Sequence, residues 1–449
     1  MTDGRAAAGA GPARDPFDTA TVLLAVTAVA LLGFRQQFKV PYTGLGLSPA
    51  QLLVLAAGVL WVVTRLVGQP GRLGVRALRI AIGFVVLSAL LSYAVAMLAV
   101  LPTEKYADSQ QALVSVLTLS AFSMFVLEAL RSRQQIELVL RCLLIAGALS
   151  ALFALVQSTV HLDLAASFRP PGLKGTATLA ESFRAGLVRA RGTAQHPLEF
   201  GAVTSALIPL GLGVTFAARR RGRAAWPWGA ITLVIAAGAV VSLSRSAVIG
   251  VACAVAVMAS RWSVRRLMGL LAGVGALVAA AVLGGSKTAS ALGSLFTSGS
   301  HDYSLESRAA GRSYAFRVLF DHLWLGQGLG TYDIPRQPIL DNQYLDQVIE
   351  SGIVGLLAMV AVLVVAVRYA VRSVSRQRDP VAAELASGVA GAIVTIITTD
   401  AVLDSAAFVQ ISTIGALLVG LSGALWCLSQ DGGATAAGRT TVGVTAEPG

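Results

Sequence analysis

Twelve long apolar stretches constrain this chain more than any other feature of its sequence. Roughly 17–25 apolar residues let an α-helix cross about 30 Å of hydrocarbon. In lipid, only helices and closed barrels satisfy all their backbone hydrogen bonds. The sequence therefore predicts an all-α, polytopic integral membrane protein with about 12 transmembrane helices. The stretches are centred near Val26, Val59, Leu90, Thr118, Leu149, Leu207, Ile235, Ala254, Val274, Val360, Val394 and Leu417.

Composition excludes the other broad classes of protein. Hydrophobic residues make up 55% of the 449 residues and charged residues only 13%, whereas soluble domains carry about 25% charged residues. This balance rules out a soluble enzyme, a disordered chain and a secreted disulfide scaffold. The three cysteines, Cys142, Cys253 and Cys427, lie inside apolar stretches, so neither a disulfide framework nor a metal cluster is predicted.

Arginines predict the orientation of the chain in the membrane. The net charge is +12, and the excess concentrates in alternate short loops, as the positive-inside rule expects. Both termini are therefore predicted to be cytoplasmic, and this explanation of the basic charge leaves no reason to expect a nucleic-acid partner. The clusters are Arg72–Arg79, Arg131–Arg133, Arg219–Arg223, Arg261–Arg266 and Arg372–Arg378.

Two connections are too long to be simple turns, and both are predicted to lie outside the cytoplasm. The second contains Phe316, Leu319, Phe320 and Leu323 at helical spacing, which indicates an amphipathic helix at the membrane surface. The predicted layout is residues 1–160 with transmembrane helices 1–5, an outer loop at 161–195, helices 6–9 at 196–285, a large outer loop with the amphipathic helix at 286–346, helices 10–12 at 347–430, and a disordered cytoplasmic tail at 431–449.

Arg245 is the first candidate for chemistry. It lies in a tight hairpin, Ser242–Ser246, between two predicted spans. An arginine at membrane depth costs about 2.5–3.5 kcal/mol and usually faces a cavity or a partner. Snorkelling to the interface is the plainer alternative. Because the nearest carboxylates in sequence are distant, a functional role is favoured.

The second candidate segment runs from Arg191 to Gly201, at the outer end of the sixth span. It places Arg191, His196 and Glu199 near the outer interface. Glu199 also has a plain structural role, because a carboxylate complements the dipole at a helix N-terminus. For His196, a capping role and a catalytic role are both open.

The third candidate segment begins the tenth span at Asp341. Either Asp341 or Asn342 would cap this helix, but three carboxylates, Asp341, Asp346 and Glu350, exceed what a cap needs. Gly352 and Gly355 would permit close helix packing. The glycines of Gly326–Gly330 only superficially resemble a nucleotide-binding pattern, since they lie outside and follow no strand.

Arginines and carboxylates thus converge on the outer surface of the predicted bundle. The planar guanidinium donates bidentate, charge-assisted hydrogen bonds that suit phosphate and pyrophosphate. A carboxylate or an imidazole nearby could accept a proton from an attacking hydroxyl. A substrate with an anionic head and a lipid tail would fit such a site.

The order of these segments resembles the O-antigen ligase and Wzy-type polymerase family of bacterial membrane glycosyltransferases. The resemblance rests on Arg191–Gly201, Ser242–Ser246, Gly311–Thr331 and, above all, Asp341–Gly355. The ligase pattern there is a His followed by Asn, Ser or Gln, then nine residues and Gly-x-x-Gly. Asn342, Gly352 and Gly355 match this spacing, while Asp341 stands at the position of the family's His.

The resemblance implies a GT-C-like helical bundle that catalyses inverting, metal-independent glycosyl transfer without a cofactor. The donor would be an oligosaccharide on polyprenyl pyrophosphate at the outer face of the bacterial cytoplasmic (inner) membrane. Arg191 and Arg245 would hold and stabilise the pyrophosphate, and Asp341 would assist the attacking hydroxyl. The expected substrate-binding residues are His196, Glu199, Arg312, Arg317, Asn342 and Tyr344.

The implied pathway is the synthesis of a surface polysaccharide such as O-antigen, exopolysaccharide or capsule. The acceptor would be a glycan, a lipid or a protein, and the other expected partners are the lipid bilayer and further polysaccharide-assembly proteins. Polymerase and ligase remain equally open. Two alternatives from other classes are a polytopic transporter or flippase and a non-catalytic scaffold of envelope assembly.

Overall fold

A computed structural model describes residues 17–41, 46–68, 71–168, 170–175, 182–184, 186–283, 303–332 and 337–440. Fourteen helices occur in these ranges, with a hairpin of two short strands, β1 (Phe183–Arg184) and β2 (Leu187–Val188). The helices are α1 (Thr19–Gly33), α2 (Pro49–Leu66), α3 (Arg76–Leu98), α4 (Thr103–Ala129), α5 (Arg133–Val160), α6 (Leu164–Ser167), α7 (Pro197–Arg220), α8 (Trp226–Val241), α9 (Arg245–Ala259), α10 (Val264–Leu283), α11 (Tyr303–Val318), α12 (Gln343–Arg376), α13 (Pro380–Asp400) and α14 (Val409–Thr440).

The centre of every predicted apolar stretch lies within one of these helices. Among the described residues, eight helices are long and apolar enough to cross a membrane, namely α2, α3, α4, α5, α7, α12, α13 and the Val409–Gln430 part of α14. Three shorter apolar helices are α1, α8 and α9. In its described residues the chain is therefore predominantly helical, with the features of a polytopic membrane protein, while the number of 12 crossings stays a prediction.

Burial separates central helices from peripheral ones. The apolar windows of α7, α13 and α14 are 83%, 78% and 78% buried, whereas those of α2 and α3 are 22% and 33% buried. Many large apolar side chains of the peripheral helices are exposed, including Val59, Leu87 and Leu152. In water such a surface would be unfavourable, so these side chains are suited to face lipid.

Small residues bring the two central helices α7 and α13 into close contact. A Cβ atom on Gly213 would lie 2.9 Å from the carbonyl oxygen of Glu384, and one on Gly388 would lie 2.8 Å from that of Pro209. Any larger side chain at these positions would force the helices apart. This is the small-residue packing that membrane bundles use where hydrophobic collapse contributes little.

The arginine-rich loops predicted to lie inside are brought together at one end of the bundle. There, three largely buried glutamates each pair with two arginines, and Arg133 also pairs with Asp379. We call this region the arginine-rich end. Its glutamate-centred pairs are Glu128 with Arg65 and Arg79, Glu137 with Arg141 and Arg221, and Glu384 with Arg220 and Arg266.

Two predicted segments differ in detail from the structure. Helix α14 continues to Thr440, into the segment predicted to be a disordered tail. Helix α11 lies where the amphipathic helix is predicted, but it ends at Val318, so Leu319, Phe320 and Leu323 belong to the following turn. Parts of both predicted outer loops, including 284–302, lie outside the described residues, as does 441–449.

Candidate active site

The segment that precedes α7 is buried in the bundle rather than lying on its surface. Arg191 is only 4% exposed, and its backbone N–H donates to Oε1 of Gln157 on α5 at 3.0 Å. Thr193 shares a 2.7 Å hydrogen bond with Ser150 and donates to the carbonyl oxygen of Leu32 at 2.8 Å. These contacts with α1 and α5 fix the position of the backbone segment that carries Arg191.

His196 caps the start of α7. Its Nδ1 accepts a hydrogen bond from the backbone N–H of Leu198 at 3.2 Å, and its ring stacks on Phe408 with 6.0 Å between centroids. Burial lowers the pKa of His196 below its ordinary value of 6.5; Arg189 and Arg191 lower it further, and Asp341 opposes them. The imidazole is therefore neutral near pH 7, with its proton on Nε2.

Glu199 joins the starts of two helices. Its side chain is fully buried, Oε2 accepts from the backbone N–H of Gln195, and Oε1 accepts from that of Gln410, each at 2.9 Å. Both carboxylate oxygens thus bind the N-terminal backbone of α7 and α14, where a negative charge complements the helix dipole. This geometry favours the plain structural role that the sequence left open for Glu199 over contact with substrate.

The hairpin that carries Arg245 packs against the Arg191 segment. The backbone N–H of Ala190 donates to the carbonyl oxygen of Val241 at 3.2 Å, and Nε of Arg189 donates to that of Ser242 at 3.3 Å. Arg245 is the first residue of α9. The structure therefore brings together the two arginine segments that the sequence singled out.

Asn342, and not Asp341, caps α12. Its Oδ1 accepts from the backbone N–H groups of Tyr344 and Leu345 at 3.0 and 3.1 Å, while its Nδ2 donates to the carbonyl oxygen of Ala401 at 2.8 Å. The hydroxyl of Tyr344 donates to the carbonyl oxygen of Ile397 at 2.8 Å. Two residues predicted to bind substrate, Asn342 and Tyr344, thus dock α12 on the end of α13.

Asp341 lies just before this helix, in the left-handed region with φ of 45°. One of its carboxylate oxygens is 3.4 Å from Nε of Arg308, and Nη2 of Arg308 donates to the carbonyl oxygen of Val402 at 3.3 Å. Arg312 and Arg317, the two arginines of α11 expected to bind substrate, are both exposed. Arg308, which is not among the residues expected to bind substrate, is the arginine of α11 that reaches Asp341.

The connection 401–408 between α13 and α14 contacts both the start of α12 and His196 at the start of α7. No role for it is predicted from the sequence. The backbone N–H of Gln343 donates to the carbonyl oxygen of Leu403 at 3.1 Å, and Oε1 of Gln343 accepts from the backbone N–H of Ala406 at 2.6 Å. The same connection provides Phe408, which stacks on His196. It therefore lies between the start of α12 and the start of α7.

Asp404 is the missed residue of this connection. Its Oδ1 is buried and has no hydrogen-bond partner among the described residues. Burial raises the pKa of Asp404, and the nearby Asp341 raises it further, while two backbone N–H groups oppose the rise. The available sequence signal was the pair of carboxylates, Asp400 and Asp404, between the last two apolar stretches.

Glu350, one of the three carboxylates noted on α12, has a structural role. Its Oε2 accepts from the backbone N–H of Gly330 at 2.9 Å, and its Oε1 accepts from that of Tyr332 at 3.1 Å. The glycine-rich segment Gly326–Gly330 therefore packs against α12. These glycines, which resemble a nucleotide-binding pattern only superficially, therefore serve to pack the segment against α12.

One end of the bundle therefore holds Arg191, His196, Arg245, Asp341 and Asp404, and His196 and Asp341 lie beside the connection 401–408. Helices α7, α9 and α12 begin at this end, and all three finish at the arginine-rich end. Cationic guanidinium groups lie beside carboxylates, a combination that can bind an anion and accept a proton. Among the described residues, no group of three or more His, Cys, Asp or Glu side chains is arranged to hold a metal ion.

Comparison with known proteins supports the resemblance found in the sequence. No curated protein matches the chain. Residues 230–360 match the family model described as O-Antigen ligase, a range that includes Arg245, Arg308 and Asp341 but begins after Arg191. The match supports a role for this multi-pass membrane protein in the ligation or polymerisation of glycans. The similarity to the O-Antigen ligase family therefore covers residues 230–360, less than half of the chain.

Proposed function

We propose that this protein transfers or polymerises an oligosaccharide from polyprenyl pyrophosphate at the outer face of the cytoplasmic membrane. The observation that carries the proposal is that the Arg191 segment, the Arg245 hairpin and Asp341 all lie at the end opposite the arginine-rich end. The positive-inside rule assigns the arginine-rich end to the cytoplasm. The candidate site then faces outward, where a flipped, lipid-linked donor would be presented.

The proposed role of Arg191 and Arg245 is to bind the pyrophosphate of the donor. Breaking the glycosidic bond places additional negative charge on the departing polyprenyl pyrophosphate. Guanidinium groups held in fixed positions stabilise that charge without having to reorganise during the reaction. This leaving group is good, so it needs no proton from the protein, and no metal ion is required.

The proposed role of Asp341 is to accept a proton from the acceptor hydroxyl. The hydroxyl oxygen forms a bond to the anomeric carbon while the bond from that carbon to the pyrophosphate oxygen breaks, on the opposite face. The proton passes to the Asp341 carboxylate. Arg308, 3.4 Å away, positions this carboxylate, and the partly exposed side chain of Asp341 is accessible to an acceptor.

The proposal is tested by the size distribution of carrier-linked and surface glycans in cells that lack the protein. Complementation uses the wild type, Arg245→Ala, or Arg223→Ala as a matched control, because Arg223 is exposed at the arginine-rich end. Single repeat units that accumulate on the carrier, unrescued by Arg245→Ala, identify a polymerase. Full-length chains stranded on the carrier identify a ligase. An unchanged glycan profile contradicts both activities.

A further inference from the structure

A polar cavity of about 410 Å³ lies at the arginine-rich end, far from the candidate active site. It is bordered by the end of α7, the connection from α9 to α10, the end of α12 and the start of α13. Its charged lining consists of Arg220, Arg261, Arg266 and Glu384. Three positive charges therefore face a single negative charge, and the cavity carries a surplus of positive charge.

Each of the three arginines contacts a neighbouring side chain, and the Arg266 side chain, at 25% exposure, is more buried than that of Arg220, at 52%. Arg266 donates to both oxygens of Glu384 at 3.2 Å and packs over the Phe216 ring at 4.3 Å. Nε of Arg220 donates to the same carboxylate at 3.2 Å. Arg261 donates to the hydroxyl of Ser375. Arg266, fixed by its carboxylate and ring contacts, loses little further conformational entropy when it binds an anion.

Neutral donors complete the lining. The indole Nε1 of Trp262 is buried and has no hydrogen-bond partner among the described residues. The hydroxyls of Ser263 and Ser387 also border the cavity. Ser263 immediately precedes α10, and Pro380 begins α13, so the partial positive ends of two long helix dipoles add to the potential. A buried N–H without a partner is costly, and an acceptor oxygen in the cavity would remove that cost.

From these groups we propose that the cavity binds a phosphate-bearing anion. Arginine guanidinium groups match phosphate oxygens in charge and in bidentate geometry. The volume equals that of about a dozen water molecules, which leaves room for a phosphodiester together with part of its glycerol. The proposal does not depend on the glycosyl transfer proposed above.

The phosphate could come from a lipid head group or from a soluble phosphate. A lipid is accommodated by the surface next to the cavity, where Val264, Met268 and Leu271 of α10 are 76%, 59% and 54% exposed. Acyl chains could lie along this apolar face while the head group occupies the cavity. Basic pockets between membrane helices on the cytoplasmic side commonly take anionic lipid head groups.

The test is lipid and phosphate binding by the purified full-length protein in a zwitterionic detergent. Binding of phosphatidylglycerol, of phosphatidylcholine with the same acyl chains, and of inorganic phosphate is measured by native mass spectrometry and by thermal shift. The variant is the double substitution Arg220→Gln with Arg261→Gln, which leaves the Arg266–Glu384 pair intact. Arg265→Gln is the matched control, because this neighbouring arginine does not line the cavity.

We expect the wild type to bind phosphatidylglycerol at least fivefold more tightly than phosphatidylcholine. Each arginine near an anionic head group contributes about fivefold, so the double variant should bind roughly 25-fold more weakly, with Arg265→Gln unchanged. Arginine-dependent binding of inorganic phosphate alone would instead identify a soluble ligand for the same site. Equal binding by wild type and double variant, equal loss in Arg265→Gln, or binding of neither anion would overturn the proposal.

Discussion

The position of Asp341 distinguishes its role from that of its neighbour. Asn342 uses its side-chain oxygen to cap α12, so the Asp341 carboxylate is not needed for the helix. Asp341 instead adopts a φ of 45°, a conformation that costs a non-glycine residue roughly 1 kcal/mol or more. Such strain is common at functional sites, and here it accompanies a carboxylate paired with Arg308.

Replacing Asp341 with asparagine should therefore remove the proposed proton acceptor and leave the fold intact. We expect glycan transfer to fall by about 100- to 10,000-fold, the usual contribution of a positioned general base, at a normal level of expression. The measurement is the amount of glycan transferred from the carrier in membranes of complemented cells. Asp321→Asn, at an exposed position, is the control and should transfer normally. Full transfer by the Asp341→Asn variant would show that another group accepts the proton of the acceptor hydroxyl.

Asp404 allows a prediction about pH. Burial and the nearby Asp341 raise the pKa of Asp404 above its ordinary value of 3.8. At pH values between the ordinary and the raised pKa, the folded protein therefore binds more protons than the unfolded chain. The free energy of unfolding consequently falls as the pH rises through this range. Asp404→Asn removes that loss. We expect a higher melting temperature than wild type at pH 7, by roughly 2 °C, and a difference that vanishes as the pH approaches 4.

The melting temperatures of both proteins in detergent, measured from pH 4 to pH 7, check this prediction. Asp321→Asn, at an exposed site, should follow the wild type throughout. A stability gain of equal size at pH 4 and pH 7 would show that the effect of Asp404→Asn does not come from the buried charge.

At the scale of elements, α12 is interrupted where another segment joins it. Gly352 has φ of 66° and ψ of −169°, outside the helical region. At this break the backbone N–H of Ile353 donates to the carbonyl oxygen of Leu323 at 2.9 Å. The backbone N–H of Gln327 donates to the carbonyl oxygen of Ile349 at 2.8 Å. The segment that contains Leu323 and Gln327 thus supplies hydrogen bonds that the broken helix lacks, and it fixes the position of the start of α12.

Gly352→Ala should consequently destabilise the protein by about 3 kcal/mol or more. A Cβ atom there would lie 2.2 Å from the carbonyl oxygen of Trp324, and the positive φ adds strain for any residue with a side chain. Gly83→Ala is the control, since a Cβ at Gly83 meets nothing within 4 Å. Thermal unfolding in detergent is the measurement, and a Gly352→Ala protein as stable as Gly83→Ala would contradict the structure at the break.

The glutamates of the arginine-rich end support a second prediction for elements. Glu137 on α5 pairs with Arg141 and with Arg221, and its side chain is only 4% exposed. Glu137→Gln would leave two partly buried arginines without their counter-charge, which should cost about 2 kcal/mol. The expected result is a lower melting temperature, with Glu104→Gln, at an exposed position, as the unaffected control. Equal melting temperatures would mean that solvent screens these pairs.

Sequence predicted the elements well because apolar periodicity and length are local properties. It also singled out the Arg191 segment, the Arg245 hairpin and the start of α12, which lie at one end of the bundle, while their chemical role stays a prediction. It did not predict that Arg308 would reach Asp341 or that Asp404 would be buried beside it. Those facts depend on how α11 and the connection 401–408 pack in three dimensions. Gly352 was predicted to allow close packing, whereas its φ also permits the break in α12.

At the scale of the whole molecule, charge divides the bundle into two ends with different chemistry. At the arginine-rich end, Glu128, Glu137 and Glu384 neutralise only part of the positive charge. At the other end, Arg191 is buried close to His196, whose pKa responds to both this arginine and Asp341. The first end suits contact with an anionic membrane surface, and the second suits binding and turnover of a charged donor.

This division predicts which residues can be reached from outside an intact cell. Leu162, after α5, and Ala224, between α7 and α8, are exposed at opposite ends of the bundle. In a protein whose native cysteines are replaced by alanine, Leu162→Cys should react with a membrane-impermeant maleimide in intact cells. Ala224→Cys should react only after the membrane is permeabilised. Both variants should label fully in permeabilised cells, which controls for access to the reagent. The reverse pattern would place the Arg245 and Asp341 site in the cytoplasm, where a donor presented at the outer face could not reach it.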